Sequence, residues 1–497
     1  MVPKKSSGVL VHISSLASQY GIGDLGPAAY KFADFLVRAK QSYWQVLPLG
    51  PFTSGVHSPY DSLSAFAGKS LFISPELLYR DGLLTKNDIQ QIPAFPKEKV
   101  DYHSAISCKT KLLNVAYRHF KDSGNKTDHE KFCLENKTWL EDFAVFAVLR
   151  KHFKYQLWHS WPRDLRDKKT SAMEEIEIHF RDAINREKFF QYLFFKQWFL
   201  LKSYCNAKGV RIIGDIPIYV GYDSADVWSL PKIFKLTKTM RRRFVGGVPS
   251  DFFCKTGQRW GTPVYDWPAL RKTGYAWWLD RIKHNLTLFD KVRIDHFRAF
   301  VAYWQVPANH KTAAKGRWFK GPGDHFFKKL LKHFPASAFI VEDLGHITPA
   351  VRATIKRFGF AGMRIMQFAF DGKKTNPHHP DNHIKNCVVY TGTHDNNTTK
   401  GWFENEISNV QKKRLFDYIG HKTDCDKVHW KMIKLAAGST ANLMIVPMQD
   451  VLGLDQQARM NRPGTIKDNW IWRQLRGQIT GTTADKLAKI TKTYHRA

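Results

Sequence analysis

Residues 291–298 read KVRIDHFR, and residues 339–345 read FIVEDLG. Each is a short apolar, β-branched run that stops on an acid, Asp295 in the first and Glu342 in the second. Runs this short and this continuous suit strands buried on both faces, as in parallel sheets. The pattern recurs on either side, at residues 9–13, 43–49, 210–216, 363–368, 388–391 and 443–446. Helix-like segments separate the runs, an alternation that argues for a parallel sheet covered by helices. Eight such runs in one chain predict an α/β fold, a closed (β/α)8 TIM barrel.

The spacing of the runs is uneven: about 160 residues separate the second from the third and about 75 the third from the fourth. Inserted subdomains are therefore expected after strands 2 and 3. The first, residues 74–205, contains LEDFAVFAVLRKHF (140–153) and KFFQYLFFKQWFLLKSY (188–204), with apolar residues three and four apart, and reads as a helical lobe. The second, residues 217–290, is rich in glycine, proline and aromatics and reads as loops. With 497 residues, 43% of them apolar, the chain has material for one large core, so residues 1–497 are expected to form a single catalytic barrel domain.

The formal charge of +33 raises nucleic acid as a partner. The basic residues are scattered, however, with short runs at 238–243 and 412–414 and no nucleic-acid-binding motif, so a solvated basic surface is expected and no nucleic acid. Cys108, Cys133, Cys205, Cys254, Cys387 and Cys425 lack metal-like spacing and read as reduced thiols of a cytoplasmic protein. No apolar stretch has membrane length. Two lysines precede the first apolar run, but His12, Ser14 and Ser15 interrupt it, which favours a core strand over a signal segment. In NPHHPDNH (376–383), His379 and His383 have the four-residue spacing of metal ligands on a helix. Pro380 would break that helix, so exposed loop histidines are expected and no metal site.

Asp295, Glu342 and Asp395, the last in YTGTHDNN (390–397), all stand at the ends of predicted strands. In a barrel those ends meet at one mouth. Cleaving a glycosidic bond with retention needs a carboxylate to attack the anomeric carbon and a carboxylic acid to protonate the leaving oxygen, about 5–5.5 Å apart. Arg293 should share a side with Asp295 and keep it ionised, which makes Asp295 the nucleophile candidate. Asp343 should point away, toward a hydrogen bond or cap behind the barrel, leaving Glu342 as the acid. The third carboxylate would stabilise the charged transition state or hold sugar hydroxyls. Taken alone, His394 also suits a buried structural histidine, Tyr60 and Trp260 suit core aromatics, and Asp215 suits a turn cap.

Ten segments in order, GIGDLGPAAYKFADFL (21–36), WQVLPLGP (44–51), SPYDSLSAFAG (58–68), RIIGDIPIYV (211–220), VGGVPSDFFCKTGQRWGTPVYDW (245–267), VRIDHFR (292–298), VEDLGHIT (341–348), MRIMQFAFDG (363–372), GTHDNNTTKGW (392–402) and NRPGTIKDNWIWR (461–473), resemble the amylomaltase, or disproportionating-enzyme, family of 4-α-glucanotransferases in the α-amylase clan. The resemblance implies that Asp295 forms a glucosyl ester, Glu342 is acid and base, and Asp395 binds the transition state. It places Arg293, His394 and Asp215 around the sugar at the cleavage point, with Tyr60 packed on its ring. Gln258 and Trp260 would lie in a lid, residues 246–267, over the acceptor side, and Asp371 and Asn461 would contact glucan hydroxyls. The implied reaction moves α-1,4-glucan segments from donor to acceptor maltooligosaccharide or glucose, without cofactor or metal. The alternatives are a hydrolase on the same site and a non-catalytic basic barrel that binds polymers. Ser250, Thr262, Ala299 and Asn397 depart from the family pattern, and KTMRRRF (238–244) is more basic than that pattern leads one to expect.

Overall fold

The strands in chain order are β1 (Ser6–Leu10), β2 (Tyr43–Gln45), β3 (Arg211–Ile216), β4 (Phe244–Val248), β5 (Gln258–Pro263), β6 (Lys291–Ile294), β7 (Ala302–Pro307), β8 (Arg317–Lys320), β9 (Phe339–Val341), β10 (Gly362–Ile365), β11 (Cys387–Tyr390) and β12 (Leu443–Pro447). The structure is a computed structural model that describes residues 5–52, 55, 57–122, 126–250 and 256–497. Eight strands form one parallel sheet in the order β10-β11-β12-β1-β2-β3-β6-β9. Ile340 of β9 bridges Ala361, one residue before β10, and the Val341 N–H donates to Ala361 O at 2.8 Å. That bridge joins the sheet's two edges and completes a (β/α)8 barrel. β11 and β12 are buried at every position, as strands enclosed by helices require.

Register decides which side chains meet at the mouth. Asp215 on β3 pairs with Arg293 on β6, and Ile294 pairs with Val341 on β9. One residue further on, Asp295 and Glu342 leave adjacent strands together, their N–H groups donating to Ile216 O at 2.9 Å and Ile294 O at 3.0 Å.

Between β2 and β3 the chain is helical, with Tyr102–Asp122, Thr127–Glu135, Lys137–His152, Thr170–His179 and Arg181–Ala207 among its elements. Arg181–Ala207 is tied to the barrel by paired amide bonds, Gln191 with both backbone groups of Gly68 and Gln197 with those of Ser74. Beneath Tyr102–Asp122, Lys109 donates to Asp24 at 2.9 Å and to Leu71 O and Ile73 O at 3.0 Å, a fully partnered buried cation.

The stretch 217–290, expected to be loops, instead contains β4, β5 and the helices Ala225–Ser229, Trp267–Lys272 and Ala276–Leu288. β4 and β5 join β7 and β8 in an antiparallel sheet ordered β5-β4-β7-β8. The glycines here serve close approach as well as turning: a Cβ on Gly247 would lie 2.3 Å from Gln258 O across the β4–β5 ladder. The partner strands β7 and β8 lie beyond β6, so no local pattern could reveal them.

A second correction concerns His383. It is buried, not exposed, with Nδ1 bonded to Ser439 Oγ at 2.7 Å and Nε2 to His378 O at 3.0 Å. Pro380–Asn382 forms a single 3-10 turn between it and His379, and the described residues hold no cluster of three metal-ligating side chains. Cys108, Cys133, Cys205, Cys387 and Cys425 are free thiols, and Cys254 lies outside the described residues. Among the described residues no helix is long and apolar enough to cross a membrane.

Candidate active site

At the C-terminal ends of β3, β6 and β9 a single guanidinium ties two carboxylates together. Arg293, 3% exposed, donates through Nη1 to both oxygens of Asp215 at 2.8 and 2.7 Å and through Nη2 to Asp295 Oδ1 at 2.8 Å. Burial alone would weaken the arginine as a base, but the charges of Asp215 and Asp295 hold its pKa well above the usual value. Asp215 is sealed, and burial pushes its carboxyl up to about 7 against the pull of Arg293. Asp295 keeps 27% of its side chain open to the mouth, so its second oxygen can reach a substrate.

Glu342 faces the same space from β9. Its Oε2 accepts the His296 N–H at 2.8 Å and its Oε1 the Leu344 N–H at 2.7 Å, which fixes the carboxyl plane. Burial, then the neighbouring charge of Asp295, raises its pKa to about 8. At neutral pH the pair is thus split in character, with the arginine on Asp295 and the proton on Glu342. His296 takes a left-handed backbone, φ +47°, and this turn aims its N–H at Glu342. Asp343 points to the opposite side and accepts from Met363 N–H at 2.6 Å and Arg364 at 3.0 Å.

The loop after β11 supplies the opposite wall. Tyr60 O–H donates to Asp215 Oδ2 at 2.8 Å and meets His394 Nε2 at 2.9 Å. A phenol has one proton, so with that proton on Asp215 the Nε2 of His394 must carry hydrogen and donate. Burial keeps His394 below its ordinary pKa, hence neutral. Its ring stacks on Tyr60 with centroids 5.2 Å apart, and Trp470 closes the group at 5.8 and 5.9 Å. Asp395 accepts from Asn461 Nδ2 at 2.6 Å and stands 3.5 Å from His394 Nε2.

The structure therefore brings Tyr60, Asp215, Arg293, Asp295, Glu342, His394, Asp395 and Asn461 into one contact network. Trp260 borders it from β5, edge-on to His296 at 4.8 Å, and donates to Gln258 Oε1 at 3.3 Å. Asp371 stands apart: it is exposed, and its Oδ1 caps its own turn through Lys373 N–H at 3.0 Å and Asn376 at 2.9 Å. Of the 246–267 segment, residues 251–255 lie outside the described residues.

Two participants carry no sequence signal of their own. The His296 contribution is a backbone N–H, invisible in side-chain chemistry. Trp470 sits in NRPGTIKDNWIWR, whose two tryptophans do not announce which one faces the site.

Comparison with known proteins identifies the relatives of the whole chain. The model of a family described as 4-alpha-glucanotransferase matches residues 11–477. The chain is similar to a 4-alpha-glucanotransferase of Clostridium butyricum, 44% identical over 98% of this chain and 100% of that one. It is also similar to a 4-alpha-glucanotransferase of Streptococcus pneumoniae, 42% identical over 99% and 98%. In three dimensions it resembles the amylomaltase from Streptococcus agalactiae in complex with acarbose, with a TM-score of 0.96 at 35% identity, covering 99% of this chain and 100% of that one.

Proposed function

The chain belongs to the 4-alpha-glucanotransferase family, and on that premise we propose that Asp295, Glu342 and Asp395 carry its reaction by double displacement. The activity is transfer of α-1,4-glucan segments from a donor to an acceptor maltooligosaccharide or glucose. Hydrolysis on the same site is not favoured, since the family and the curated relatives are transferases.

In the first step the free oxygen of Asp295 attacks the anomeric carbon. The glycosidic C–O bond breaks, Glu342 gives its proton to the leaving oxygen, and a glucosyl ester remains on Asp295. In the second step the ionised Glu342 takes a proton from the 4-hydroxyl of an incoming sugar, whose oxygen displaces Asp295 and restores the α-linkage. Arg293 steadies the carboxylate before attack and as it leaves. Asp395, held by Asn461, faces the positive charge that develops on the ring. His394 and Tyr60 pack and bond at the cleavage-point sugar, with Asp215 behind them. Gln258 and Trp260 belong to the segment that keeps water from the ester while an acceptor arrives. Asp371 is assigned to glucan hydroxyls further out, in keeping with its exposure.

The observation that carries this reading is the adjacency of Asp295 and Glu342, one bonded to a buried arginine and the other raised to about 8. The streptococcal amylomaltase takes acarbose, and the same class of α-linked pseudo-oligosaccharide is assigned to this mouth. The free thiols support a cytoplasmic location. The test is incubation with maltotriose alone. Glucose and longer maltooligosaccharides should form while reducing ends stay constant; a steady rise in reducing ends would mean that water is the main acceptor.

A further inference from the structure

Beyond Trp260, away from Asp295, Glu342 and Asp395, a second cleft opens whose lining includes none of them. Its volume is about 280 Å³, and Tyr155, Leu157, Asp223, Arg242, Trp260 and Thr262 stand in its wall. Trp260 belongs to both places, since its ring also meets His296, the residue whose N–H holds Glu342. Trp260 thus links the surroundings of Glu342 to this cleft.

The fold does not account for the composition of that wall. Tyr155 is 56% exposed and Trp260 37%, and Leu157 is exposed between them, so apolar surface is left uncovered on the helical side and the sheet side alike. Asp223 is only 8% exposed, yet its Oδ1 has no hydrogen-bond partner, although Arg150 holds the other oxygen at 2.6 Å. Thr262 Oγ1 is likewise buried and unpartnered. Buried polar atoms are almost always satisfied, so two orphans on residues of one cleft wall mark hydrogen-bonding capacity that a small side-chain shift would turn toward a ligand. Arg242 is fixed beside them by Gly261 O at 2.9 Å and the Tyr222 ring at 4.7 Å.

Flat apolar faces with separate acceptor and donor groups between them match the faces and hydroxyl rim of a sugar. The charges of the wall balance, Asp61 and Asp223 against Arg150 and Arg242, which suits a neutral, hydroxyl-rich ligand. We propose that this cleft is a distal acceptor subsite, which binds glucose units of a long α-1,4-glucan beyond those at Trp260. The proposal rests on the transfer reaction above and extends it to acceptor length. Thr262, one of the departures from the family pattern, then serves as a specificity residue.

The test uses α-maltosyl fluoride as the common donor and end-labelled glucose or maltoheptaose as acceptor, with lengthening of the label as the readout. Tyr155→Ala should lower kcat/KM for maltoheptaose by about tenfold, from lost ring contact, and leave glucose within about twofold, since one sugar cannot reach the cleft. Thr262→Val, which keeps the shape and removes the hydroxyl, should lower the maltoheptaose value by about two- to tenfold. Equal changes for the two acceptors, or none for either in both variants, would overturn the subsite while leaving the transfer reading intact. If the parent enzyme lengthened neither acceptor, the transfer reading itself would fall, and the subsite with it.

Discussion

Exchanging Glu342 for glutamine keeps the shape of the side chain and removes its proton. The structure places that carboxyl at about 8, through burial and then the charge of Asp295, so the parent holds the proton at neutral pH and loses it in mild alkali. General acid catalysis is worth about 10²–10⁴-fold, or ~2.7–5.5 kcal/mol of barrier, and kcat/KM for maltotriose should fall by that amount in Glu342→Gln. A fluoride leaving group needs no proton, so the first-turnover burst of fluoride from α-maltosyl fluoride should keep a rate within about tenfold of the parent, while later release slows because the base of the second step is gone. Stability should move the other way. Because the folded carboxyl is raised from 4.5 to about 8, its contribution is complete below the unfolded value and lost as pH rises through the folded one. At ~1.4 kcal/mol per tenfold change, the amount lost is on the order of 5 kcal/mol. Glutamine has no such proton, so the variant's melting temperature should gain on the parent's between pH about 5 and 9. Initial rates on maltotriose and the fluoride burst, with melts across the same pH series, check each part. Equal losses on maltotriose and on the fluoride burst would refute Glu342 as the acid, and parallel melting curves would refute the raised carboxyl.

The other expectations follow from single contacts. Asp295→Asn should reduce transfer to below about one thousandth of the parent, and loss of that charge should bring the Glu342 carboxyl down, visible by carbon NMR of a labelled side chain. Tyr60→Phe deletes the hydroxyl that joins Asp215 to His394 and should cost about 1–3 kcal/mol of transition-state binding, read as kcat/KM for maltotriose with the melting temperature little changed. Asn461→Ala releases Asp395 Oδ1 from its 2.6 Å bond and should cost about 1.5–3 kcal/mol in kcat/KM. Lys109→Met leaves Asp24 buried without its cation and should destabilise the fold by about 3–5 kcal/mol in denaturant unfolding, with the active-site rate constants unchanged in the folded fraction.

The barrel was legible because its strands are sealed on both faces. CVVY is apolar throughout, and KVRI carries only a strand-start Lys291 and the buried Arg293 that faces the mouth, so such runs stand out against amphipathic helices. The central pair was legible for a related reason: each acid ends such a run, and barrel geometry gathers strand ends at one mouth. The alternation that puts Arg293 beside Asp295 and turns Asp343 toward Arg364 is a property of any strand. The sheet built from β4, β5, β7 and β8 was hidden because its strands are half exposed, glycine-rich and split by β6. His383 misled because a loop position and a proline neighbour suggest exposure, whereas tertiary packing buries it against Ser439. The His296 N–H eluded residue-type reasoning altogether, since its role comes from a left-handed turn and not from the imidazole.

The central claim is a covalent sugar on one named oxygen. Glu342→Gln treated with α-maltosyl fluoride, quenched in acid and digested, should show by mass spectrometry a maltosyl adduct on the peptide that contains Asp295, and none in the double variant with Asp295→Asn. Donor consumption with the adduct on another carboxylate, or turnover with no adduct at any time, would contradict the account.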